Sequence, residues 1–194
     1  MGISRFTNSD FLAAARSQAW AEGPGTVTVD SVIRRLSAPR GSFYHRYASR
    51  DVLLGELWLS TVLSFQEGFV AAINDDDGLS AALHTPRWAR EHLDDARLLL
   101  IYSRHDFVEG AWPSVLQDGV RAQAERIHAC VNRFAQRTFG SASQASRRRA
   151  MFVLCELPIA AVKGYLERRG RPPALVDELI SLSYRAIVSS GSPQ

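Results

Sequence analysis

The decapeptide APRGSFYHRY, residues 38–47, gathers Arg40, Ser42, Tyr44, His45 and Arg46 into one short stretch. Guanidiniums and hydroxyls at this density are hydrogen-bond donors in search of acceptors. An arginine fork matches a phosphate, or the O6/N7 edge of guanine, with two parallel bonds. Phe43 and Tyr47 stand at i, i+4 and would share one helical face, while Arg40, Ser42, His45 and Arg46 fall on the others. The segment reads as a short helix held from behind, with its front turned to something anionic. Thr28 fits the same chemistry: at a helix N-terminus, its hydroxyl and the free backbone N–H groups can meet a phosphate.

Charge agrees with that placement. Residues 1–50 hold seven arginines against Asp10, Glu22 and Asp30, whereas the rest of the 194-residue chain is close to balanced within a net charge of +3. The positive surface belongs to the first quarter, where a polyanion would be met. Lys163 is the only lysine, so almost every cation is an arginine.

Other chemistries find little support. The five histidines, His45, His84, His92, His105 and His128, show no HExxH spacing, and the chain has no GxSxG, P-loop or GxGxxG element. Glu91-His92 and His105-Asp106 are adjacent in sequence, which on a helix turns the side chains apart. No catalytic residue, cofactor or metal site is expected. Cys130 and Cys155 lack CxxC or Cys/His spacing and read as buried thiols. The run NDDDG ends without the alternating ligands and final glutamate of a calcium loop, and reads as a solvated turn. No apolar run reaches the roughly 20 residues that span a bilayer. MGISRFTNSD has no signal-peptide core, and Phe6 stands where myristoylation wants Ser or Thr, so a cytoplasmic protein is expected.

The elements that must position the donors all read as helix. Phe11, Leu12, Ala15, Ala19 and Trp20 form one face of a first helix, with a cap among Thr7 to Ser9 and Gly23 as its stop. GPGT breaks the chain. Thr28 caps a second helix with Val29, Val32, Ile33 and Leu36 inward, and Ser37 to Pro39 turn it into the third, Arg40 to Tyr47. Ser49 caps a long fourth helix that ends near Asn74. Further helices are expected over 79–84, 88–107, 114–139, 143–167 and 173–189, and the tail SSGSPQ is expected to be disordered. No strand pattern and no internal repeat intervene. The last two helices, AMFVLCELPIAAVKGYL and PPALVDELISLSYRAIV, are apolar over wide arcs, as helices that pair across a two-fold axis would be.

Together these form a helix-turn-helix, and residues 7–55 resemble the N-terminal domain of the tetracycline-repressor (TetR) family of bacterial transcription regulators. AAARSQAWAEG, TVDSVI and GSFYHRYASRDVLL carry the resemblance. Ser37 stands where the family usually has glycine, Ile33 where it has alanine, Pro39 where it often has a capping serine, Arg50 for lysine and Tyr47 for phenylalanine. The resemblance implies an all-α chain divided into a DNA-binding domain at 1–50 and a helical effector and dimerisation domain at 51–194. It implies that Tyr44 and Arg50 contact backbone phosphates beside Thr28, Arg40, Ser42, His45 and Arg46, on a palindromic double-stranded operator bound by a homodimer. It further implies repression relieved by a small effector, for which Phe65, Phe69, Trp88, Tyr102, Phe107 and Trp112 are the aromatics available; few polar residues stand among them, so the effector is expected to be apolar or aromatic. The competing reading is a DNA-binding dimer with no small-molecule input, whose C-terminal part only dimerises or recruits a protein.

Overall fold

The computed structural model describes residues 6–191 and, among them, contains helices and no strand. The lipidation and signal-peptide expectations at the N-terminus, and the last three residues of the tail, fall outside that range. Helix α1 (Asn8–Glu22) begins at a reciprocal capping box between Thr7 and Asp10 and ends at Gly23, whose φ of 94° suits a residue without a side chain. A 3₁₀ turn (Pro24–Thr26) leads to α2 (Val29–Leu36), capped by Thr28 through a second box with Ser31. The third helix, α3, is Arg40–Tyr44. It is shorter than the eight residues read from the sequence: His45 and Arg46 form a turn in which the N–H groups of Arg46 and Tyr47 both reach the Phe43 carbonyl.

Pro39 occupies the N-cap of α3 without a side-chain bond. The preceding turn carries the geometry instead. Ser37 sits in the left-handed region at φ 53°, its N–H reaching Arg34, while the Ala38 N–H reaches the Ile33 carbonyl. These bonds close α2, and proline's restricted φ starts α3. A left-handed non-glycine residue costs about 1–2 kcal/mol. Ser37→Gly should therefore raise thermal stability by about 1 kcal/mol, measurable by denaturant melting; an unchanged or lowered stability would show that the serine side chain offsets its strain.

Helix α4 (Arg50–Asn74) starts at Ser49 and ends where the sequence indicated. Next come α5 (Gly78–Glu91), α6 (Leu93–Leu100), α7 (Arg104–Phe107), α8 (Ser114–Phe139), α9 (Gln144–Met151), α10 (Leu157–Glu167) and α11 (Leu175–Gly191), with a π-helical run, Phe152–Glu156, joining α9 to α10. Asp77 caps α5, accepting from the Ser80 N–H, a bond that holds its carboxyl below the usual range.

Three expectations are corrected. Helix α5 passes through Pro86 rather than stopping before it, because Ala81, Ala82, Leu83, Thr85, Trp88 and Ala89 are buried on both sides of it; such burial outweighs a proline's roughly 3 kcal/mol. The single helix read over 88–107 is divided, turning at His92 (φ −124°, ψ 55°) and again after Leu100. The tail residues up to Gly191 are helical, as the last turn of α11.

Two cores result. The first packs Phe11, Ala15 and Ala19 of α1, Val32 of α2, Phe43 and Tyr47 with Leu53, Leu54 and Leu57 of α4, and is completed by Leu98, Phe107 and Val108 from further along the chain. The second gathers the C-terminal half of α4 with α5, α8, α10 and α11. Helices α4 and α6 serve both, since Ala96 lies in the second core and Leu98 in the first. Polar ties reinforce the join. Arg16 pairs with Asp95 at 2.6 Å, the Trp20 indole donates to the same carboxylate at 3.3 Å, and Arg169 donates to the Ala21 carbonyl at 3.0 Å.

Candidate nucleic-acid interface

The aromatic core beneath α3 fixes which side chains turn outward. Phe43 meets Phe11 edge-on at 5.7 Å and Tyr47 at 5.7 Å, and all three rings are buried. The Tyr47 hydroxyl donates to the Asn8 carbonyl at 3.3 Å, and burial pushes its pKa well up, so it stays a neutral anchor. With Phe43 and Tyr47 inward, Arg40, Tyr44 and His45 are exposed and Ser42 and Arg46 half-buried. Tyr44 is 48% exposed, a large aromatic ring left in solvent.

The expected contact residues are brought to one region, but not all in one state. Arg40 pairs with Asp30 of α2 at 2.5 Å and lies over the Tyr44 ring, 5.7 Å from its centroid. Arg46 donates to the Asn8 side chain at 2.9 Å. Thr28 is exposed at the start of α2, its hydroxyl accepting from the Ser31 N–H.

Arg50 is the most heavily engaged. Its Nε donates to the Val27 carbonyl at 2.6 Å, one terminal nitrogen donates to the Pro24 carbonyl at 3.2 Å, and the other pairs with Asp51 at 3.1 Å. This guanidinium staples the start of α4 to the loop between α1 and α2. Asp30, which the sequence did not single out as a site residue, is the one the structure adds through its pairing with Arg40; its signal was an acidic group in the most basic part of the chain.

The six aromatics considered for an effector divide. Phe65 and Phe69 line a small apolar cavity of about 30 Å³ with Thr85, Ile127, Leu154, Cys155 and Ile159, and Trp88 packs edge-on against Phe65 at 5.2 Å. Phe107 is buried in the first core, with Tyr102 and Trp112 packed against it. Burial pushes the Cys155 thiol up to about 12, which removes thiolate reactivity at neutral pH.

Beside the cavity, the His84 Nε2 lies 2.7 Å from the Phe65 carbonyl, which requires the Nε2–H tautomer. Burial lowers the His84 pKa, with Arg87 and His92 adding to the effect and the Phe65 bond and Glu91 opposing it. The unfolded chain therefore binds a proton at this site more readily than the folded one, and stability falls as pH drops from the ordinary histidine value, about 6.5, through the lowered one. His84→Gln should flatten that part of the melting temperature against pH curve between pH 7 and 5; an identical curve in the variant would assign the dependence elsewhere.

The outer face of α11 carries Leu175, Leu179, Leu182 and Ala186, exposed and spaced at 4, 3 and 4 residues. Leu182 is 61% exposed. That spacing puts the four apolar side chains in one stripe along a single helical face.

No helix among the described residues is long and apolar enough to cross a membrane, and no group of three or more His, Cys, Asp or Glu residues there could hold a metal ion. Residues 11–57 match the sequence model of the family described as bacterial regulatory proteins, tetR family. No curated protein sequence matches. Among solved structures, a candidate TetR-family transcriptional regulator from Mesorhizobium loti MAFF303099 is similar over 98% of both chains, with a TM-score of 0.55 and 13% identity. That likeness concerns the fold.

Proposed function

The chain belongs to the tetR family of bacterial regulatory proteins, and from that premise we propose a sequence-specific, homodimeric DNA-binding repressor released by a small apolar effector. DNA-binding transcriptional regulation follows from the family. The observation that carries the finer reading is the surface formed by α2, its turn and α3, where an aromatic core holds exposed Arg40, Tyr44 and His45 outward beside the exposed, Thr28-capped start of α2. The first residues of a recognition helix are those that reach base edges in the major groove. Arg40, Ser42, His45 and Arg46 face the groove in this reading, with Thr28, Tyr44 and Arg50 on phosphates. Selection of bound sequences from a random DNA pool tests it. The expected product is a palindrome with half-sites about 34–36 Å apart; an unstructured pool overturns it.

Leu175, Leu179 and Leu182 support a second copy of the chain as the dimer partner, paired through α10 and α11. Each leucine is worth about 1–2 kcal/mol when taken from partial exposure to burial. Because a symmetric interface loses the side chain twice, Leu179→Ala should raise the dimer dissociation constant by about thirtyfold or more in sedimentation measurements, and an unchanged constant would move the interface elsewhere.

The cavity at Phe65 and Phe69 supports the effector reading. It is far below the roughly 300 Å³ of an ordinary ligand site, so an occupant must part α4, α5 and α8 from the π-helical run and α10 that close it. Helix α4 then transmits the displacement, because Phe69 lies in one core and Leu53 and Leu57 in the other. A thermal-shift screen with hydrophobic molecules, followed by operator release with the hits, tests this; hits that stabilise the protein without releasing DNA, or the absence of hits, favour a dimer with no small-molecule input.

A further inference from the structure

Arg40 is the first residue of α3 and Asp30 lies in the first turn of α2. The N-terminal turns of the two helices are thus joined by an ion pair, 2.5 Å between Arg40 Nη1 and Asp30 Oδ1. On the other side, Arg40 Nη2 is 3.5 Å from the Tyr44 hydroxyl, and the guanidinium carbon lies over that ring, 5.7 Å from its centroid. Asp30 and Tyr44 hold the fork from two directions, yet the Arg40 side chain remains 59% exposed and that of Asp30 61%. A guanidinium has five N–H donors, and these contacts leave others directed outward.

Resting on the DNA-binding reading, we infer that Asp30 is a positioning residue for sequence discrimination, making Arg40 a pre-aimed reader of one guanine in each half-site. An arginine tethered by a carboxylate loses less freedom when it meets the O6/N7 edge, and it is less free to swing to a phosphate. The carboxylate also repels any phosphate that approaches Arg40 in a wrong register. Both effects act on the difference between correct and incorrect DNA rather than on total affinity. An uncharged residue at position 30 would bind random duplex better and read it worse.

The test selects sequences from a random DNA pool with the wild type, Asp30→Asn, Asp30→Ala, Arg40→Ala and the double variant Asp30→Ala/Arg40→Ala, and measures operator and random-duplex affinities for each across a salt series. Asp30→Ala should relax the base preference at the base pair that Arg40→Ala relaxes, strengthen random-duplex binding roughly three- to tenfold by removing one repelling charge, and reduce discrimination about tenfold. In the Arg40→Ala background, Asp30→Ala should leave base preference unaltered, because nothing remains to be positioned. Asp30→Asn, which keeps an acceptor at the helix start, separates helix stability from charge: it should fold as the wild type does and still lose discrimination. Unchanged preference at the Arg40 base pair, or relaxation at base pairs Arg40 does not govern, overturns the role of Asp30 while leaving the DNA reading intact. A wild type that selects no sequence overturns the DNA reading, and this role with it.

Discussion

Phe43→Ala will abolish DNA binding while the C-terminal helices stay folded. Phe43 is fully buried and touches Phe11, Tyr44 and Tyr47, with ring centroids 5.3–5.7 Å away. Truncating a buried phenylalanine costs about 3–5 kcal/mol. A unit of about 50 residues has little stability beyond that to lose. Its core reaches α4 and α6 through Leu53, Leu54, Leu57 and Leu98, yet α4 also packs against α5 and α8, and α6 against α5 and α10, elements outside that core. Melting should therefore stop near the start of α4. Hydrogen exchange should quicken across residues 28–47 and remain slow in α8 to α11, with the sedimentation of the protein unchanged. Loss of protection throughout the chain would show that the two cores unfold as one.

Arg50 allows a sharper separation. If it served only as a positive charge for phosphate, Arg50→Lys would preserve function. The structure instead gives it two backbone carbonyls and Asp51, and a lysine ammonium cannot reproduce that fork. Hydrogen bonds to a charged donor are worth about 1.5–3 kcal/mol, and the side chain is only 23% exposed. Both Arg50→Ala and Arg50→Lys should lower the stability of the N-terminal unit by about 1.5–3 kcal/mol. Loss of DNA affinity should accompany both, with the salt slope of the dimer shallower by about two, one phosphate contact per protomer, only in the alanine variant. Full DNA affinity and stability in Arg50→Lys would assign Arg50 to phosphate alone.

Much of the N-terminal unit was legible because its signals are local. Thr7, Thr28 and Ser49 cap the helices that follow them, Gly23 stops α1, and the i, i+4 pair Phe43 and Tyr47 faces inward. The errors arose where tertiary contacts decide. Pro86 carries a local stop signal that burial overrides. The turn at His92 had a readable sign, since Asp94 and Asp95 suit the positive end of a new helix, but the apolar residues on either side continued the helical period. In the interface, residue types were legible and pairings were not: nothing in sequence spacing tells that Arg40 meets Asp30, ten positions away across a turn, or that Arg50 reaches back to Pro24. The aromatics show the same limit, because Phe65 and Phe107 look alike in sequence and belong to different cores.

The π-helical run at Phe152–Glu156, where the Leu157 N–H reaches back five residues to Phe152, amounts to one extra residue accommodated inside an otherwise continuous rod. Each residue of a helix advances about 100°. Excising a single residue there would yield a regular helix and swing Leu157–Glu167 through more than a quarter turn relative to α9, carrying Val162 and Leu166 out of the core and Lys163 toward it. Length variation in a lineage of such proteins would thus be tolerated in the loops on either side of this rod long before it was tolerated within it.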